Sequence, residues 1–473
     1  MGKYIENILQ RIENWISRHN LLTEGVTVIA AVSGGSDSIF MLWSLRQLTN
    51  AHRCPLRAVH INHQLRGKES DNDEIFVRKL CRSWKIPLQT YRVDVKQKLE
   101  EMGIGIEEAS RIVRMEIFDD EAHLHNGVVA VAHTADDVVE TMLFNLIRGS
   151  GIRGLAGIQP KRANIIRPIL SVWRREERVI LRRENISWRE DSTNADKHFS
   201  RNRIRHELLP YLKRHFGVDT IKHIHDAASM LYRTRRALEE SFRLRFQEAL
   251  IGESEGLLMF RSKIALSDTF TFGELLRQTL PRLGIGLKDF SIEKTEKIFE
   301  ILTSMTDERK CSIFGGAFAV RTAECLLIGD RIPIQMSEEE LFPDETMSLK
   351  ADMGDIRIDF SPPPRNPLSK EKLTVYVAYK NEPITIAPYL SEFYFQPLGG
   401  VTVKLSSFLK NRKVPKIFRR ALPLIFIGQK LAWIGGVEIS EQCKITPQTK
   451  QALKICWSGN FPEMVSATMK SIE

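Results

Sequence analysis

Val26-Thr27-Val28-Ile29-Ala30-Ala31-Val32-Ser33-Gly34-Gly35-Ser36-Asp37-Ser38-Ile39-Phe40-Met41-Leu42 passes from a largely apolar run, through six small polar or glycine residues, into a second apolar stretch. Val26–Val32 reads as a strand covered on both faces, and Ser38–Thr49 as a helix with apolar residues three and four apart. The glycines permit a tight turn and close backbone approach. Unpaired amides at the helix start, with the hydroxyls of Ser33, Ser36 and Ser38, can hold phosphate oxygens. The Gly-x-x-x-x-Gly-Lys-Ser/Thr spacing of the P-loop is missing, so this is an anion loop of another kind. Taken alone, it can also be read as a turn in which Ser38 or Asp37 only caps the helix.

The pattern repeats outward from this point. Strands are expected at Val26–Val32, Leu56–His60, Leu88–Val93 and Val128–Ala132, alternating with helices at Ser38–Thr49, Asp71–Lys85, Glu107–His125 and Asp136–Ile147. Strict alternation of this sort predicts an α/β domain, a doubly wound parallel sheet in which ligands bind beyond the carboxyl ends of the strands. A helical pattern ending near His19 precedes it, with no apolar leader or small-residue cleavage site. The expected division is a catalytic domain at 1–211, a mainly helical domain at 212–335 with a long helix from Ile221 to Leu250, a linker at 336–370, and a small α/β C-terminal domain at 371–473. The linker is read from the acidic run Glu338-Glu339-Glu340 and from Ser361-Pro362-Pro363-Pro364.

The chain has 473 residues, 42% hydrophobic and 27% charged, and no apolar run approaches the roughly 20 residues that span a bilayer. Six scattered cysteines form no Cys-x-x-Cys pair, which argues against a zinc ribbon, an iron–sulfur site or a disulfide framework. The formal charge of +10 points to a polyanionic partner. The excess is concentrated: Lys161–Arg214 holds 15 Lys/Arg against 7 Asp/Glu, and Gly400–Lys430 holds 8 against none.

Several side chains carry candidate chemistry. Asp37 beside a phosphate calls for a divalent cation between them, so it is the candidate Mg²⁺ ligand. Asp137 and Glu140 lie three apart at a helix start and share a face at the crevice rim, a cradle for an ammonium group; acids there also simply complement the helix dipole. Arg111 and Arg114 can place a guanidinium on an anion, or Arg111 can pair with Glu107 four residues earlier. His60, His63 and His133 follow strand ends, where a structural histidine is at least as expected as a functional one. Arg201, Arg203 and Arg205 suit a segment closing on a phosphate-bearing substrate, or a solvated basic surface. In the C-terminal region Lys404, Lys410, Arg412, Lys413, Lys416, Arg419 and Arg420 interleave with Phe408 and Phe418. That composition suits RNA phosphates, while the two phenylalanines are read first as core.

The Ser-Gly-Gly-x-Asp-Ser loop resembles that of the ATP pyrophosphatases, which cleave ATP between the α- and β-phosphates. Further segments are similar, in order and spacing, to the tRNA(Ile)-lysidine synthetases. They are His60-Ile61-Asn62-His63-Gln64-Leu65-Arg66, Glu107-Glu108-Ala109-Ser110-Arg111, Ala132-His133-Thr134-Ala135-Asp136-Asp137-Val138-Val139-Glu140-Thr141, Arg148-Gly149-Ser150-Gly151, Arg167-Pro168, Asp191-Ser192-Thr193-Asn194 and Arg201-Asn202-Arg203-Ile204-Arg205. Val414-Pro415-Lys416 to Gly435-Gly436-Val437 resembles that family's last domain. The resemblance implies a cytoplasmic enzyme that ligates lysine to the wobble cytidine of isoleucine tRNA with a CAU anticodon, through an adenylated base. It implies ATP and Mg²⁺ as requirements, ATP held by Ser33, Gly34, Gly35, Ser36, Asp37, Ser38, His60, His63 and His133, and lysine held by Asp136, Asp137 and Glu140. Asp37, Arg111, Asp137 and Arg205 would be catalytic. The tRNA would be met by Arg201, Arg205, Lys404, Lys413, Lys416, Arg419 and Arg420, and a homodimer is compatible with the family. A tRNA thiolase fits less well without Cys-x-x-Cys, and a nucleotide-gated RNA-binding protein is the non-catalytic rival.

Overall fold

The computed structural model describes residues 2–65, 67–95, 105–190, 200–287, 290–305, 308–322, 324–331, 338–349, 353–364 and 372–472. It divides into two units, Met1–Leu238 and Glu239–Glu473.

In the first unit the apolar runs form parallel strands β1 (Thr27–Ala31), β2 (Leu56–Asn62), β3 (Leu88–Arg92) and β4 (Gly127–Ala130), followed by the short β5 (Lys161–Arg162) and β6 (Ile165–Ile166). The order is β3-β2-β1-β4-β6-β5, with only the β5–β6 pair antiparallel. Val28 and Ala30 of β1 pack into one layer with Ile12, Phe40 and Trp43, whereas Ile29 faces Val59, Val113 and Phe118 in the opposite layer. Two covered faces explain why the strand reads as continuously apolar rather than alternating.

Among the described residues the helices of ten or more residues in this unit are α1 (Lys3–Arg18), α2 (Ser36–Leu48), α3 (Lys68–Trp84), α4 (Ile106–Leu124), α5 (Ala135–Ile147), α6 (Arg174–Arg183) and α7 (Thr220–Ala249). The division between units falls within α7. Because β2 and β4 flank β1 on opposite sides, the chain reverses direction across the sheet at β1/β4, where such sheets leave a crevice for ligand.

The second unit begins inside the segment expected to be one mainly helical domain, and it carries more strand than that expectation describes. The segment read as mainly helical contains, besides helices α8 (Thr269–Arg282) and α9 (Ile292–Ser304), an antiparallel sheet of order β7-β8-β11-β10-β9. Its strands are Leu250–Ser254, Leu257–Arg261, Lys310–Ser312, Phe318–Arg321 and Cys325–Gly329, numbered β7 to β11 in chain order. Nor are residues 336–370 a plain linker: they hold β12 (Glu339–Leu341), β13 (Glu345–Ser348) and β14 (Asp355–Ser361). In β14 the buried Ile356 and Ile358 alternate with the exposed Asp355 and Arg357, a two-residue period that the neighbouring acids and prolines obscure. Strand β14 pairs with β22 (Ala452–Ser458), and β22 with β15 (Thr374–Ala378), so this stretch is built into the C-terminal sheets. Phe408 and Phe418 are core residues, as read from the sequence.

Among the described residues no helix is long and apolar enough to cross a membrane, and the six cysteines are free thiols.

Candidate active site

The loop after β1 is closed by its own serines. Ser38 Oγ accepts from the amides of Ser33 and Gly34, both at 3.2 Å, and donates to the Gly35 carbonyl at 3.0 Å. Gly34 has φ +99°, a left-handed backbone that a side chain would strain, and its carbonyl accepts from the Arg189 amide at 2.9 Å. The first amides of α2 stand beyond the carboxyl end of the central strand β1, and a helix start has no internal acceptors for them.

Asp37, the second residue of α2, is ionised. Burial alone would raise its pKa, but a hydrogen bond with Glu177 and the charge of Arg174 outweigh that and lower it. Glu177 is fully buried and is held far above the ordinary carboxylate range, by burial first and then by Asp37 beside it, so it is protonated at neutral pH. Ser36 Oγ donates to Asp37 Oδ1 at 2.9 Å and lies 3.3 Å from Glu177 Oε1. One carboxylate and one carboxylic acid thus sit side by side at the loop.

At the start of α5, Asp137 Oδ2 accepts from the Thr134 amide and hydroxyl, both at 2.8 Å, so half of this carboxylate caps the helix. Its other oxygen faces Arg174 and Arg205. Glu140, buried one turn on, accepts from Arg174 Nη1 at 2.7 Å and from Arg205 Nε and Nη2 at 2.8 Å each. Asp136 points elsewhere, accepting from the Arg174 backbone amide at 2.9 Å; burial raises its pKa against that bond. Asp137 and Glu140, expected from the sequence to share a face, do stand together, and the guanidinium groups of Arg174 and Arg205 pair with them.

Asp137, Glu140, Arg205, Ser33 and Ser38 border a cavity of about 1320 Å³. That is larger than the ~300–1,000 Å³ typical of a small-molecule pocket, leaving room for a nucleotide and a second substrate. Of the sequence-derived candidates, Ser33, Ser38, His60, His63, Arg111, Arg114, His133, Asp137, Glu140 and Arg205 line it. Gly34, Gly35, Ser36, Asp37 and Asp136 are not among its lining residues. The Arg201 side chain, Arg66 and Asp191-Ser192-Thr193-Asn194 lie outside the described residues.

The three histidines are neutral. His60 Nδ1 is 2.7 Å from the Val32 carbonyl, which assigns it the proton and leaves Nε2 as a buried acceptor with no partner among the described residues. Burial pushes His63 down to about 4, with Arg114 adding to the effect, and its buried Nδ1 is likewise unpartnered among the described residues. His133 Nδ1 takes a hydrogen bond from Arg167 Nε at 3.1 Å, so that nitrogen carries no proton. Burial, and then Arg162, pushes Arg167 down to about 10.

Sequence reasoning missed Arg174 and Glu177 and placed Arg114 behind Arg111. Arg114 is exposed along the cavity wall yet hemmed in by enough protein that desolvation lowers its pKa. In the second unit Lys404, Lys413, Lys416 and Arg420 are exposed. Arg419 is half-buried, its Nε donating to the Val414 carbonyl at 3.0 Å.

Residues 5–212 match the PP-loop domain family, which places the first unit's sheet and loop in that class of proteins. Residues 384–457 match the family described as the TilS substrate C-terminal domain. Over nearly its whole length the chain is 30% identical to the tRNA(Ile)-lysidine synthase of Bacteroides thetaiotaomicron, covering 94% of this chain and 99% of that one. It is 29% identical to that of Caldanaerobacter subterraneus subsp. tengcongensis, with 95% and 97% covered, and to that of Dehalococcoides mccartyi, with 95% and 98% covered. The chain belongs to the tRNA(Ile)-lysidine synthase family.

Proposed function

We propose that the chain ligates L-lysine to the wobble cytidine of isoleucine tRNA bearing a CAU anticodon, with ATP as the energy source, changing the codon read from AUG to AUA. The observation that carries this reading is one cavity bordered by both the serine–glycine loop and the Asp137/Glu140 carboxylates, in a chain that matches curated tRNA(Ile)-lysidine synthases end to end.

In the first step the cytosine carbonyl oxygen attacks the α-phosphorus of ATP, and the bond to the β-phosphate breaks, releasing pyrophosphate. The loop amides and serine hydroxyls receive the phosphates, and Arg111 and Arg114 on the facing wall oppose the charge that develops. In the second step the lysine ε-amine, as the free base, attacks the activated ring carbon, AMP leaves with the former carbonyl oxygen, and the proton shed by the new carbon–nitrogen bond passes to solvent. Asp137 and Glu140 hold the lysine's ammonium group, and Arg205, bonded to Glu140, sits at their side. His60, His63 and His133, all neutral, meet the adenine and ribose by hydrogen bonding.

The residues at the loop suit Mg²⁺: a single ionised carboxylate, Asp37, with the rest of the shell left to phosphate oxygens and water, as this ion commonly binds. When bound there it would offset pyrophosphate charge. Exposed Lys404, Lys413, Lys416 and Arg420 in the second unit supply phosphate contacts for the tRNA. ATP, lysine and tRNA are all cytoplasmic reactants, which sets the proposed location.

The test is incubation of the purified chain with Mg-ATP, labelled lysine and an isoleucine tRNA transcript with a CAU anticodon, alongside the methionine tRNA with the same anticodon. Label in the isoleucine tRNA alone, with AMP release, is expected; ATP binding without AMP formation would instead describe a nucleotide-gated RNA-binding protein.

A further inference from the structure

Arg174 opens α6 and spends every face of its guanidinium on a different carboxylate. Nε lies 3.2 Å from Asp37 Oδ2 on α2, Nη1 lies 2.7 Å from Glu140 Oε1 on α5, and Nη2 bonds Asp137 Oδ1. Its backbone amide holds Asp136 at 2.9 Å. The side chain is only 16% exposed. The Ala135 amide, bonded to the Val172 carbonyl at 2.9 Å, brings the starts of α5 and α6 together, and Arg174 then reaches across to the start of α2.

This geometry is more than charge neutralisation. A planar fork with fixed N–H directions sets the spacing and rotation of the carboxylates it bridges, which a flexible ammonium cannot do. Asp37 belongs to the phosphate loop and Asp137 and Glu140 to the amine cradle, so the groups serving the two half-reactions are tied through one side chain. Resting on the function proposed above, we infer that Arg174 is a positioning residue that holds the metal-binding carboxylate and the lysine-binding carboxylates in register, so that adenylation and lysine attack occur about one fixed centre. It touches no reacting atom in this account and acts through Asp37, Asp137 and Glu140.

The role predicts signs that a purely structural arginine would not give. Arg174→Lys keeps the charge and loses the bridge. The lysine-free release of pyrophosphate and the incorporation of lysine should both slow by about 10²-fold, the scale of an ångström-sized misplacement, while KM for lysine stays within about two-fold. Arg174→Gln removes the charge as well. The less compensated cradle should draw lysine more tightly, lowering its KM by about 10-fold, the effect of one charge felt at short range in a partly screened site, while kcat falls at least as far. A residue serving only the amine would slow the second half-reaction alone.

Both variants are assayed as full-length enzyme, per mole of folded protein measured by circular dichroism and melting temperature. Wild-type kcat in Arg174→Lys, or loss confined to folded fraction with KM for lysine unchanged in Arg174→Gln, overturns the inference while leaving the proposed function intact. Wild-type enzyme that incorporates no lysine under the same conditions overturns the proposed function and this inference with it.

Discussion

Arg205 grips Glu140 with two parallel hydrogen bonds of 2.8 Å, Nε to Oε1 and Nη2 to Oε2, across 65 residues of sequence. Glu140 is buried and also serves Arg174, so it is the hinge of the charge cluster. Glu140→Ala leaves two guanidinium groups facing a void, and removing one partner of a buried pair costs about 3–5 kcal/mol. Chemical denaturation should show that loss. Glu140→Gln, which keeps the volume, should cost less stability while still abolishing lysine incorporation in the assay with labelled lysine.

Asp37→Asn removes a charge at the phosphate loop without changing its size. Pyrophosphate release should drop by roughly 10²–10³-fold, the scale seen when one group stabilising developing charge is lost. ATP affinity in the absence of Mg²⁺ should hold or rise, because a carboxylate facing phosphates is then gone. Equilibrium binding of a fluorescent ATP analogue with and without Mg²⁺ measures both.

Gly34→Ala tests the loop backbone. An added Cβ would meet Val77 Cγ2 at 3.5 Å, an ordinary contact, so the cost comes from φ +99°. About 1–2 kcal/mol of strain is expected, together with weaker ATP binding as the first amides of α2 turn with the loop. Unchanged affinity would show that these amides do not bind phosphate.

Acid sensitivity should come in two windows. His63 and His19 have folded pKa values of about 4, set first by burial and then by nearby arginines. The unfolded chain therefore binds more protons between pH 6.5 and 4, so stability falls as pH falls through that range. Glu74 behaves differently. Burial would raise its pKa, but bonds from Asn62, Arg92 and Arg78 hold it at about 2, so its contribution is present above pH 4.5 and is lost as pH drops toward 2. Denaturant midpoints across pH 7 to 3 should show reduced slope above pH 4 in His63→Gln, and below pH 4.5 in Glu74→Gln.

Much of the first unit was legible because its signals are local. Strand β1, its serine–glycine loop and helix α2 are consecutive, and the carboxylates of Asp137 and Glu140 stand on one helix face. Arg174 and Glu177 were not legible: they sit in the charged run Trp173-Arg174-Arg175-Glu176-Glu177, where surface and buried side chains look alike. Only the sheet order, which brings α2, α5 and α6 to one place, distinguishes buried Glu177 from the half-buried Glu176 beside it, whose oxygens bond Arg11 and the Trp173 amide. Strands β12 to β14 escaped notice because prolines and acids at their ends outweigh a short alternation in any local reading, whereas their pairing partners lie up to about a hundred residues away.

The most direct test of the central claim is chemical. Isoleucine tRNA with a CAU anticodon is incubated with the chain, Mg-ATP and lysine, digested to nucleosides, and analysed by mass for the wobble position, with AMP counted in parallel. The account predicts conversion of that cytidine alone to lysidine, with one AMP formed per lysine attached. An unmodified wobble cytidine after incubation with folded, ATP-binding protein would contradict it.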